Sequence, residues 1–148
     1  MKSIICSASD SKYWPLLSGM LNSVEKPAKQ DGFSFGILDV GLTQEQKSRL
    51  DLFGAVTVSP EWDYKMDHLA EQPPSHLRAM AARPHLPKYF PGYDLYIWLD
   101  ADCWVQDWSA VVLLAQCALS NKFAIVPEID RSYTPFFSRG PVFEWLLE

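Results

Sequence analysis

Two acidic residues flank one small residue at Asp100-Ala101-Asp102, directly after five apolar residues, Leu95-Tyr96-Ile97-Trp98-Leu99. On an extended chain, side chains two apart share a side. Two carboxylates leaving a strand in this way would repel each other at a partly buried edge, and a divalent cation removes that cost. Carboxylate oxygens suit Mg2+ or Mn2+, which keep coordination positions open for substrate phosphates. The alternative is a pair of solvated turn residues capping the helix that follows. The other candidates are Asp10 and Tyr13, just past the first apolar run, and Arg83, which stands before a proline. A carboxylate can accept a base N–H, a Tyr ring can stack on a base, and an Arg can grip a diphosphate. Equally, Asp10 could cap a helix, Tyr13 could pack on the core, and Arg83 could be a solvated charge, with Arg78 and Lys88 as rivals.

The elements that must position these residues alternate. Ser3–Ser7 reads as a strand. Trp14, Leu17, Leu21 and Val24 recur at helical spacing, and Pro27 marks a point where that helix should have ended. Phe33–Asp39 is a second strand and Gly41 a turn. Thr43 and Gln46 form a capping box for a helix to Phe53, stopped by Gly54. Ala55–Val58 is a third strand. The proline-bearing stretch Ser59–Ser75 reads as a long loop, and a helical segment runs from about Ser75 to Arg83. Pro91-Gly92 is a turn. Leu95–Leu99, apolar without alternation, has the pattern of a central strand covered on both faces. Ser109 can cap a helix Ala110–Ser120 that is apolar nearly all round and so expected to be buried. Phe123–Val126 is a fifth strand candidate, and Gly140-Pro141 can open a last helix. This order predicts an α/β fold, a mostly parallel sheet with helices on both faces. Ligands of such folds bind outside the carboxyl ends of the strands, where Asp100 stands.

Several chemistries are excluded. There is no G-x-G, no P-loop and no G-x-S-x-G. Cys103-Trp104 after the acidic pair does not fit haloacid-dehalogenase phosphatases. A nucleotidyltransferase would want a Gly-rich, basic loop, and Ser7–Tyr13 holds neither Gly nor Arg. His68, His76 and His85 share no ligand spacing and read as structural or surface residues. Asp107 reads as a helix N-terminal charge.

Three blocks taken in order resemble glycosyltransferase family 8, which includes glycogenin-like enzymes and bacterial lipopolysaccharide hexosyltransferases. The first is Ala8-Ser9-Asp10-Ser11-Lys12-Tyr13, similar to the family's Ala-x-Asp-x-x-Tyr. The second is Ile37-Leu38-Asp39-Val40-Gly41-Leu42-Thr43. The third is Arg83 followed, seventeen residues on, by Asp100 in Leu95–Asp102. The resemblance covers roughly residues 3–127. It implies a GT-A-like, Rossmann-like fold that retains anomeric configuration while moving a hexosyl unit from a UDP-sugar to a glycan, lipid or protein acceptor. It implies nucleotide-sugar contacts from Ala8, Asp10, Tyr13, Arg83, Asp100, Ala101 and Asp102, with Asp100 and Asp102 as ligands of Mn2+ or Mg2+. The family's C-terminal half, which brings a His ligand, acceptor contacts and a Lys near the phosphates, has no counterpart here. The expectation is therefore one nucleotide-sugar-binding domain over residues 1–148, truncated before its acceptor-binding part, with no residue assignable as nucleophile or base. A non-catalytic binding module, an inactive fragment and a purely structural domain are the alternatives.

Composition agrees with a globular domain: 48% hydrophobic and 21% charged residues are enough to bury a core. With 13 Lys and Arg against 18 Asp and Glu, the net charge of −5 and the absence of a basic run argue against nucleic acid as partner. The three scattered cysteines, Cys6, Cys103 and Cys117, match no zinc or redox motif and read as small buried hydrophobes in a reducing compartment. No signal peptide or transmembrane segment is legible, so the expected location is the cytoplasm.

Overall fold

A computed structural model describes residues 1–64 and 73–126 of the 148. His68, the middle of the long loop and the helix expected after Gly140 lie outside the described residues.

The chain runs β1 (Ser3–Ser9), α1 (Trp14–Gln30), β2 (Ser34–Asp39), α2 (Gln44–Phe53), β3 (Ala55–Val58), α3 (Leu77–Ala82), a 3-10 turn (Arg83–His85), α4 (Leu86–Tyr89), β4 (Leu95–Trp98) and α5 (Trp108–Asn121). The four strands form one parallel sheet in the order β3-β2-β1-β4. From β1 the chain steps outward to β2 and β3, then returns to lay β4 against the other side of β1. The switch point of the sheet therefore falls between β1 and β4, the place where ligands of such sheets bind.

Strand alternation divides the core. Ile5, Phe35, Ile37, Leu95 and Ile97 face one way and meet Leu17, Met20, Leu21 and Val24 of α1, Leu50 of α2 and Val111 and Ala115 of α5. Ile4, Cys6 and Leu38 face the other way, against Ala82, Leu86, Tyr89 and Phe90, with Tyr96 and Trp98 packed alongside. β1, between two partners and two helical layers, is buried along its length except at Ala8.

The capping box of Thr43 and Gln46 forms as expected, and Gly54 ends α2 at φ 91°, a left-handed conformation that suits glycine. Several expectations are corrected. Pro27 lies inside α1 rather than beyond it. The buried face continues through Val24 and Ala28, and burying it outweighs the one backbone bond that proline removes. β4 is covered on both faces but, among the described residues, lies at the edge of the sheet, outside β1. Phe123–Val126 is no strand: it pairs with nothing among the described residues, and Phe123, Ile125 and Val126 are exposed. Finally, α5 buries only Val111 and Ala115 and leaves Leu113 and Leu119 exposed. Cys103 and Cys117 are likewise exposed, and only Cys6 is a buried thiol. Among the described residues no helix is long and apolar enough to cross a membrane.

Candidate nucleotide-sugar site

The site lies where β1 and β4 end. The ladder Ile4↔Tyr96, Ile5↔Ile97, Cys6↔Trp98 holds the two strands side by side, and Leu99 N–H still donates to the Cys6 carbonyl at 3.0 Å. Asp100 therefore leaves the sheet next to the Ser7–Ser9 end of β1, from which the chain passes into Asp10.

Asp10 folds its own loop. Its Oδ1 accepts the N–H groups of Lys12 at 2.8 Å and Tyr13 at 2.9 Å, tying down the turn ahead of α1. Asp10 is not the helix cap considered for it: Tyr13 holds that position without a side-chain cap bond, and both N–H groups that Asp10 accepts precede the helix. Nor does Tyr13 take the core role considered for it, since it is 55% exposed beside that turn. Ala8, half-buried, packs against the Cys6–Leu38 side of the core.

The turn after β2 braces this loop. Ser11 N–H donates to the Gly41 carbonyl at 2.9 Å, and Val40 N–H to Ser9 at 3.1 Å. Gly41 has φ 138°, and a side chain there would also approach Cβ of Asp10 to 3.4 Å. Asp39 holds the turn. Its Oδ1 accepts from Gly41 N–H at 2.9 Å and Leu42 N–H at 2.7 Å; its Oδ2 accepts from Lys47 Nζ at 2.6 Å and Ser59 Oγ at 3.3 Å. Burial pushes the Asp39 carboxyl pKa up, but the Lys47 ammonium and the two backbone N–H groups more than offset it and hold it below the usual carboxylate range.

On the β4 side, strand alternation sends Tyr96 and Trp98 toward the face covered by α3 and α4, and Asp100 continues that side past the strand end. The 3-10 turn on the same face delivers Arg83. Arg83 Nη2 and Trp98 Nε1 both donate to Asp100 Oδ1, the latter at 2.9 Å, and the guanidinium carbon lies 4.5 Å from the centre of the Trp98 ring. Arg83 and Asp100, seventeen residues apart, are thus in direct contact. The rival cations are engaged elsewhere: Lys88 bonds Asp63 at 2.8 Å, and Arg78 Nε reaches the Ser75 carbonyl at 3.4 Å.

The acidic pair departs from the expected geometry. The chain is not extended at Ala101; Cys103 N–H donates to the Asp100 carbonyl at 3.0 Å and closes a turn. Within that turn Ala101 is buried, Asp102 is exposed, and Asp100 keeps a half-exposed carboxylate. Asp107, expected only as a charge at the helix N-terminus, is the N-cap of α5 and accepts the Ser109 N–H at 2.9 Å; Ser109, the expected cap, lies inside the helix, which starts at Trp108. Burial foremost, with the Asp100 and Asp102 charges, pushes the Cys103 thiol pKa up.

Among the described residues no three His, Cys, Asp or Glu side chains converge on one point. The described residues by themselves therefore build no closed structural metal cage. Two hard oxygen donors do fit an ion such as Mg2+ or Mn2+, which takes one or two carboxylates and completes its shell with water and phosphate.

The sequence of residues 4–140 matches the profile of glycosyl transferase family 8, so the chain belongs to that family. No curated protein sequence is significantly similar to it. Among solved structures, galactosyltransferase LgtC in complex with donor and acceptor sugar analogues is similar, at 23% identity and TM-score 0.51. An active-site mutant of LgtC gives 22% and 0.50. Both alignments cover 73% of this chain and 41% of the other, so the chain spans less than half the length of those enzymes. The α/β fold, with its mostly parallel sheet, is the GT-A-like fold of those neighbours.

Two residues at the site were not singled out in the sequence. Asp39 carries a readable signal, an Asp two residues before a glycine at a strand end, the pattern of an Asx turn. Trp98 carries none beyond its place in an apolar strand.

Proposed function

We propose that this chain binds a UDP-sugar and a divalent cation, and that it serves transfer of a hexosyl unit to a glycan, lipid or protein acceptor with retention of configuration. The observation that carries the reading is the meeting of Arg83 with Asp100 at the β1–β4 switch point, beside Asp10 and Tyr13. Asp100 and Asp102 would hold Mn2+ or Mg2+, which when bound supplies positive charge to the diphosphate of the leaving nucleotide.

The chain's own residues do the rest. Asp10 already uses Oδ1 on its turn, and its second oxygen is the acceptor for a uracil N–H. The exposed Tyr13 ring offers a face to the base, and stacking of this kind contributes about 1–3 kcal/mol. Arg83 adds a fixed positive charge near the diphosphate, oriented in advance by the Trp98 face. Nucleophile, base and acceptor contacts have no assigned residue. We place the protein in the cytoplasm, in keeping with three free thiols.

Titration calorimetry with UDP, with and without Mn2+, tests the reading. The expected result is binding that requires the metal and disappears in Asp100→Asn and Asp102→Asn. Absence of UDP binding to the native chain would refute it. A second reading, a module that binds without turnover, is favoured by the lack, among the described residues, of any group of three His, Cys, Asp or Glu side chains that could hold a metal. Metal-dependent UDP binding without sugar release from UDP-glucose or UDP-galactose would select it.

A further inference from the structure

We infer that Trp98 is a positioning residue that fixes the metal-facing oxygen of Asp100 and the heading of Arg83; this rests on the function proposed above. Arg83 and Trp98 donate to the same oxygen, Asp100 Oδ1. Among the described residues, Oδ2 accepts no hydrogen bond. A carboxylate on one methylene has two torsions. Two donors arriving at one oxygen from different elements fix both torsions, so the other oxygen has a single heading. The donors are themselves fixed. The indole packs against the core formed by Ile4, Cys6, Leu86 and Phe90, and Arg83 lies on its ring face.

The residue type matters. Phe, Leu or Ile at position 98 would fill the same space between sheet and helices. An indole alone combines a broad face for a guanidinium with an N–H that reaches the carboxylate two residues on. Orientation thus passes from the buried core, through a ring with only two torsions, to the first acidic residue of the pair. A ligand set already aligned loses less conformational freedom when the cation arrives. Arg83, stacked rather than solvated, stays close to that oxygen when phosphate oxygens approach.

The test uses the full chain and two readouts other than turnover. The Trp98 indole N–H resonance is the one of six indole signals missing from Trp98→Phe. In the native chain it is expected to shift on Asp100→Asn, and to broaden before the other five when Mn2+ is added with UDP. Free Mn2+, counted by electron paramagnetic resonance in the presence of UDP, is expected to show binding weakened about tenfold in Trp98→Phe, equivalent to about 1.4 kcal/mol. A residue that only filled the core would produce neither effect. Native Mn2+ affinity in Trp98→Phe, together with loss of binding in Asp100→Asn, would overturn the role of Trp98 and leave the proposed function standing. Undiminished Mn2+ binding in Asp100→Asn would overturn both. Should Trp98→Phe not fold, its signal is assigned through Leu99 and Asp100 backbone connectivities, and an indole resonance unmoved by Asp100→Asn refutes the inference by itself.

Discussion

Removing the Asp39 carboxylate tests how the site loop is held. The side chain is 7% exposed and accepts four hydrogen bonds, but truncation to Ala does not orphan all four donors. Lys47 is one-third exposed and can turn to water, and Ser59 is exposed. The Gly41 N–H also lies at the surface. The Leu42 N–H belongs to a residue only 8% exposed and has no other partner, so leaving it unpaired costs about 1–3 kcal/mol. Loss of the bond to Gly41 adds about 1 kcal/mol, and the Lys47 pair, discounted for its exposure, adds about 0.5 kcal/mol. The expected loss for Asp39→Ala is about 3 kcal/mol, or about 6–12 °C in melting temperature for a chain of this size. Urea denaturation at pH 7 reads it, with Ser59→Ala as the control that should change little. The folded carboxyl pKa lies below its unfolded value, so the stabilisation is complete above the unfolded pKa of about 3.9 and is lost as pH falls through the folded value. The gap between native and Asp39→Ala chains should therefore close in acid. A loss under about 1 kcal/mol at pH 7, or a gap that widens in acid, would refute the account of this turn.

Further outcomes follow from single observations. Gly54→Ala puts a Cβ at φ 91° and should cost about 1 kcal/mol without altering UDP binding, measured by denaturation and calorimetry together. Cys103 and Cys117 should react with iodoacetamide in the native state. Cys6, whose thiol burial pushes up to about 12, should react only on unfolding, as mass spectrometry of the alkylated chain can show. Arg83→Ala should weaken metal-dependent UDP binding about tenfold, whereas Lys88→Ala, whose partner is Asp63, should leave it within about twofold.

The sequence by itself determined what is local. Apolar spacing and punctuation located β1, β2, β3 and the strand before Asp100, and Thr43, Gln46 and Gly54 announced their caps because capping involves only neighbours; the cap of α5 fell on Asp107 rather than on the expected Ser109. Order and spacing of three motif blocks were enough to recognise the family. The mistaken expectations concern packing. Whether a helix passes through Pro27, whether Leu113 is covered and whether Phe123–Val126 finds a strand partner depend on what lies across space, and no window of sequence contains that. The site divides in the same way. Asp100 and Asp102 were legible as a pair. The turn that separates their environments, the joining of Arg83 and Trp98 on one oxygen, and the Asp39 brace behind Asp10 were decided only when parallel pairing set β4 against β1. Sheet register brings residues 98 and 100 beside the strand that leads to residue 10, and the packing of Ala82, Leu86 and Tyr89 on that face adds residue 83.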